Sequence, residues 1–125
     1  PMYKPGKEAA TRFELRSPDP AANPYLTFAV MLNAGLKGIE EGLELRAPIE
    51  QDIFEMSKKE RCNLGITNLP GSLQEAIILM EGSAMMKEAL GEDMFNKFIA
   101  NKKIEWGKFN MHVSQFEMDE YYDIL

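Results

Sequence analysis

The stretch RFELRSPDPAANPYL, Arg12 to Leu26, joins a short run of alternating charges to the opening of an apolar helix. Its reading decides what kind of chain this is. In a strand, successive side chains point to opposite faces. Arg12, Glu14 and Arg16 then share one face, and Phe13 and Leu15 share the other. At about 3.3 Å rise per residue the three charges stand ~6.6 Å apart. A carboxylate between two guanidiniums suits a site that holds an anion and a metal together. The carboxylate can ligate a hard cation, and each guanidinium can fork onto a carboxylate or phosphate. On pattern alone, three alternating charges most often make a solvated face with weak ion pairs.

Outward from this stretch, Pro18 and Pro20 stop the strand, because each removes a backbone donor and restricts the residue before it. Asn23 is a good N-cap and Pro24 a good first helical residue. They predict a helix from Pro24 to about Glu41, stopped by Gly42. Tyr25, Phe28, Ala29, Leu32, Leu36 and Ile39 keep helical spacing, and Leu26, Val30 and Met31 make the first half apolar nearly all round. Such a helix is buried on most sides, which in a chain of 125 residues implies a missing layer of protein. Upstream, Pro1 to Ala10 reads as a loop with Lys4, Lys7 and Glu8 solvated.

Leu43 to Phe54 reads as extended or irregular. Three Ser-x-x-Glu capping boxes follow, Ser57 with Glu60, Ser72 with Glu75 and Ser114 with Glu117. They predict helices to about Asn63, Glu81 and Asp123. Leu69-Pro70-Gly71 is a turn, Gly82 and Ser83 break the second of these helices, and Ala84 to Leu90 continues as a short one ended by Gly91. Glu92 and Asp93 suit the positive end of a long helix reaching about Phe109. Met80, Met85, Met94, Phe95, Phe98, Trp106 and Phe109 fall on helical faces and read as core. His112 and Cys62 have no partners for metal or nucleophilic chemistry and read as ordinary turn and helix residues. The carboxylates Glu117, Asp119, Glu120 and Asp123 read as a solvated helix face.

The fold class is mainly α, with one N-terminal strand, Thr11 to Arg16, that lacks sheet partners. A lone strand cannot satisfy its ladder, so the segment is expected to pair outside this chain. A formal net charge of -6 argues against nucleic acid and anionic membranes as partners. No apolar run is long enough to span a bilayer, and neither a membrane span nor a signal peptide is expected. The single cysteine fits a reducing cytosol, so a cytoplasmic location is expected.

The Arg-x-Glu-x-Arg run followed by Pro-Asp-Pro and Asn-Pro-Tyr-Leu resembles the end of the catalytic domain of type I glutamine synthetase. The resemblance continues in order through KPGKEAATR (Lys4 to Arg12), AGLKGIEEGLE (Ala34 to Glu44), DIFEMSKKER (Asp52 to Arg61), LPGSLQEAI (Leu69 to Ile77), EALGEDMFNKFI (Glu88 to Ile99) and EWGKF (Glu105 to Phe109). Many motifs in register are far more specific than one. The resemblance implies that residues 1–125 are the C-terminal portion of an α+β catalytic domain. Residues 1–20 would be a loop and active-site strand, and 21–125 the helical C-terminal region.

By that resemblance the parent is a glutamate–ammonia ligase, which uses ATP to make γ-glutamyl phosphate and then displaces phosphate with ammonia. Glu14 matches a carboxylate that ligates Mg2+ or Mn2+, Arg16 matches the catalytic arginine that holds the substrate glutamate, and Arg12 matches the arginine near ATP. The parent would be a homo-oligomer, a dodecamer of two hexameric rings, with the tail from Ser114 to Leu125 packing into the opposite ring. The other metal-ligating glutamates, the metal-binding histidine and the nucleotide-binding segments of the family are absent, so the chain alone is expected to be inactive. The segment Asp52 to Met56 resembles one in which some bacterial relatives carry an adenylylated tyrosine. Here that position is Phe54, which has no hydroxyl to modify. Two other readings stand beside this one: a stand-alone helical interaction or regulatory module derived from the enzyme's C-terminus, and a related γ-glutamyl amine ligase. Retention of Glu14 and Arg16 together favours the enzyme over the module.

Overall fold

Asn23 sets where the helical part of the chain begins. Its backbone is extended, and its Oδ1 accepts from the amides of Tyr25 and Leu26 at 3.0 and 3.3 Å. With Pro24 in the first position this starts α1, Pro24–Glu40. The structure, a computed structural model, describes residues 5–10, 12 and 14–124. The remaining helices are α2 (Lys58–Asn63), α3 (Leu73–Glu81), α4 (Ala84–Leu90), α5 (Glu92–Asn110) and α6 (Gln115–Tyr121). Single 3-10 turns lie at Glu8–Ala10 and Tyr122–Ile124.

Both α1 and α2 end in Schellman motifs. After α1, Gly42 N–H donates to Ile39 C=O and Leu43 N–H to Gly38 C=O, at 3.1 and 2.9 Å. After α2, Gly65 N–H donates to Cys62 C=O and Ile66 N–H to Arg61 C=O, at 3.0 and 2.9 Å. The motif needs a left-handed residue in the position after the cap. Gly42 and Gly65 supply it with φ of +63° and +66°. At Gly65 a second constraint applies, because an added Cβ would stand 2.9 Å from Nη1 of Arg46.

Two of the three capping boxes close completely, Ser57 with Glu60 and Ser114 with Glu117. The Ser57 hydroxyl and then its amide hold the Glu60 carboxyl below its ordinary range. At Glu117 the Ser114 amide acts first, then its hydroxyl, with a smaller contribution from the charge of His112. The third box is only half made. Ser72 Oγ accepts from Glu75 N–H at 3.2 Å, but the Glu75 carboxylate accepts from Gly71 N–H at 2.7 Å instead of from Ser72. The Leu69–Gly71 turn brings the Gly71 amide within reach first. Ser83, expected only to interrupt a helix, caps α4 by accepting from Met86 N–H at 3.3 Å.

The strand expected over Thr11–Arg16 is not formed among the described residues. Arg12 and Glu14 to Arg16 have no regular secondary structure, and Thr11 and Phe13 lie outside the described residues. A strand exists only through its ladder, and no described segment offers one. The fold is accordingly mainly α. Upstream, the expected loop contains the Glu8–Ala10 turn, in which Ala10 N–H donates to Lys7 C=O at 3.0 Å.

The core is small. α3 and α4 pack on α5, and α1 packs on α4. Ile77, Phe95 and Ile99 are buried, with Leu73, Met80, Met86, Leu90 and Trp106 against them. Met94 and Phe109, expected in the core, are exposed. Phe109, near the end of α5, stacks on Trp106 with ring centroids 5.7 Å apart. No residue of α1 is buried, and Tyr25, Phe28, Leu32, Leu36 and Ile39 all face solvent. The chain exposes 11346 Å², whereas a compact monomer of its 14.2 kDa exposes about 6,800 Å². That excess fits the missing layer read from the apolar α1. The chain by itself should therefore bind a hydrophobic dye such as ANS and melt over a broad range. A sharp calorimetric transition with no dye binding would contradict this.

Candidate functional site

The segment from Glu14 to Asn23 leads directly into α1, and local hydrogen bonds set its path. Asp19 Oδ1 accepts from Ala21 N–H at 2.7 Å, and Ala22 N–H donates to Asp19 C=O at 2.9 Å. This Asx turn, bracketed by Pro18 and Pro20, reverses the chain ahead of the Asn23 cap. Thr27 Oγ1 then donates to Asn23 C=O at 2.9 Å, tightening the first turn of α1. The charged segment is thus tethered to a helix end rather than to a sheet.

Glu14 and Arg16 are brought together: Arg16 Nε donates to Glu14 Oε1 at 2.5 Å. The pair is open to water, with side-chain exposures of 58% for Glu14 and 86% for Arg16. An ion pair in that setting contributes at most about 1 kcal/mol. It therefore leaves both groups available to stronger partners. Arg12 is exposed too, but makes no ion pair with a described residue. The alternation expected of the segment survives without the strand. Leu15 is half-exposed, at 49%, and reaches the other way, into an apolar groove of about 730 Å³. The groove lies between the start of α1, the Leu69–Pro70 turn and the faces of α3, α4 and α5; Leu26, Met31, Leu79 and Phe98 are among its walls.

A divalent cation needs several hard oxygen ligands. No group of three or more His, Cys, Asp or Glu able to hold a metal is present among the described residues. Glu14 is one carboxylate, and the described residues do not build a metal site around it. It can contribute a single ligand to a site whose other ligands come from elsewhere.

Three further contacts lie near the groove, two of them within α5 and one between α1 and α4. Lys102, a groove wall, holds its ammonium 5.7 Å from the centroid of Phe98 and pairs with Glu105 at 2.6 Å. Lys37 of α1 pairs with Glu88 of α4 at 2.7 Å, which raises the lysine's pKa through the hydrogen bond and the carboxylate's charge. Further along, Phe54 stands in a turn with 97% exposure, its N–H donating to Asp52 Oδ1 at 2.9 Å. His112 is exposed after the end of α5, and Cys62 lies in α2 as expected and is exposed.

Residues 1–121 match the family described as glutamine synthetase, catalytic domain. The chain belongs to the glutamine synthetase catalytic-domain family. It is 46% identical over 121 residues to the glutamine synthetase of Mycobacterium tuberculosis (strain ATCC 25618 / H37Rv), covering 97% of this chain and 27% of that protein. It is 47% identical over 115 residues to that of Methanosarcina mazei, covering 92% of this chain and 26% of the relative. With the enzyme of Staphylococcus aureus (strain MW2) identity is 45% over 112 residues, 90% of this chain and 25% of the relative. The chain thus spans about a quarter of the length of these glutamine synthetases. No helix among the described residues is long and apolar enough to cross a membrane.

Proposed function

We propose that this chain is the C-terminal part of a glutamine synthetase catalytic domain and carries one edge of its active site. Residues 1–20 supply the site segment and 21–125 the helical support. The observation that carries this reading is the exposed Glu14–Arg16 pair, set in the Arg12-to-Arg16 pattern of a family member and tethered to α1. The reaction is the ATP-dependent ligation of ammonia to glutamate through γ-glutamyl phosphate, at a cytoplasmic location.

Each residue has a role its chemistry can perform. Arg16, with a planar fork of donors, orients the glutamate carboxylate and faces the transferred group. Arg12 provides positive charge beside the phosphates of ATP. Glu14 offers an anionic oxygen as one ligand for Mg2+ or Mn2+, and such a cation, when bound, neutralises phosphoryl oxygens. Because Glu14 and Arg16 neutralise each other in the absence of substrate, their surface bond exchanges for substrate contacts at small cost. The remaining ligands and the nucleotide-binding groups belong to the rest of a protein about four times as long.

In the whole protein, phosphate release from ATP should require both glutamate and ammonia. Equal release when another amine replaces ammonia would favour a γ-glutamyl amine ligase instead. The 125-residue chain by itself should show no turnover in the same assay, since one metal carboxylate and two arginines cannot align an in-line transfer. Turnover near that of the whole protein would sink the assignment of the missing groups to the rest of the polypeptide.

A further inference from the structure

Leu15 lies between the two charged residues of the proposed site, yet its side chain lines the groove under α1 while Glu14 and Arg16 bond to each other outside it. Its immediate followers Ser17 and Pro18 line the same groove. The segment is therefore held to the helical region by an apolar contact on one side and presents its charges on the other. Among the described residues, Glu14 and Arg16 pair only with each other. Among the described residues no ladder and no second ion pair fixes these charged groups, so the apolar contact of residue 15 is what the faces of α3, α4 and α5 contribute to their orientation.

We infer that Leu15 is a positioning residue for the proposed reaction, the anchor through which the helical region sets the direction of Glu14 and Arg16. This deepens the proposed function and rests on it. A leucine suits the task because the groove walls are apolar side chains, including Leu26, Met31, Leu79 and Phe98. A polar side chain there would gain less from these walls than leucine does. The groove is far larger than one leucine side chain, so a longer apolar residue can enter it, whereas a shorter one loses contact with its walls. Misplacement of a positioned group by about 1 Å is enough to cost on the order of 10²-fold in rate.

The test uses the full-length enzyme with Leu15→Met, Leu15→Ala and Leu15→Gln, the last close to leucine in length but polar. Leu15→Met should keep kcat/KM for glutamate within a few-fold of the parent. Leu15→Ala and Leu15→Gln should lower it by roughly ten- to a hundredfold, with melting temperature and assembly size unchanged. Parent-like kcat/KM in Leu15→Gln overturns the inference. So does a loss that only follows a falling melting temperature, which would make Leu15 a structural residue. Glu14→Ala and Arg16→Lys serve as controls. If they abolish turnover and Leu15→Gln does not, the anchor is wrong and the proposed function stands; if neither matters, the proposed function fails and the anchor with it.

Discussion

Glu14→Ala in the full-length enzyme should lower kcat by about 10²–10³-fold, the range seen when one preorganised electrostatic group is removed from the place where charge develops. The carboxylate is the one hard anionic oxygen that the Arg12-to-Arg16 segment would give to a divalent cation. Its removal also frees Arg16 from its only ion pair among the described residues. Stability should hardly move, because an exposed pair of this kind is worth at most about 1 kcal/mol. Arg16→Lys should be damaging for a different reason: a compact ammonium cannot replace a bidentate fork on a carboxylate. Steady-state kinetics beside a thermal melt separates these effects from misfolding. Unchanged turnover in a folded Glu14→Ala enzyme would return Arg12, Glu14 and Arg16 to a solvated surface face.

The helices were legible because their ends carry short-range chemistry. Asn23-Pro24, Ser57 with Glu60 and Ser114 with Glu117 each place a side-chain acceptor within three residues of an orphan amide, and each cap forms. The errors at these sites have the same local scale. Glu75 finds the Gly71 amide one residue before its expected partner, and the last helix gives way to a 3-10 turn at Tyr122 rather than continuing to Asp123. The strand at Thr11–Arg16 was a different kind of reading. Alternation identifies which residues share a face, and Glu14 and Arg16 do meet while Leu15 turns away. Whether the segment is a strand depends on a neighbour that no spacing within the segment can supply. The apolar α1 carried its message for the same reason: Tyr25, Phe28 and Leu32 have hydrophobic faces with no covering layer in 125 residues. The site roles of Arg12, Glu14 and Arg16 came from resemblance, since three alternating charges are common on solvated surfaces. The Lys37–Glu88 contact was invisible because it depends on the packing of α1 on α4, whereas Lys102 over Phe98 is an i,i+4 pair that helical spacing allows.

Deleting Tyr121 to Leu125 from the full-length enzyme should break its assembly into smaller species, single rings if the parent is the proposed dodecamer of two hexameric rings. The tail's composition is odd for a chain end, which ordinarily frays. Phe116, Met118, Tyr121, Tyr122 and Ile124 are all exposed, although Ser114 and Glu117 cap the helix that carries them. The acidic side chains of Asp119, Glu120 and Asp123 remain in water, so the segment is amphipathic and its apolar side has no cover within the described chain. Folding back onto its own helices would have buried these groups, and they are exposed instead. Covering each large apolar side chain contributes about 1.5–3 kcal/mol before ordering costs. Tyr121, Tyr122 and Ile124 together then give several kcal/mol per tail, repeated in every subunit of a symmetric assembly. Sedimentation velocity should show the loss directly, with each subunit still folded by circular dichroism. An intact particle after the deletion would mean that the tail is not what joins the rings, and its apolar side would then need a partner of another kind.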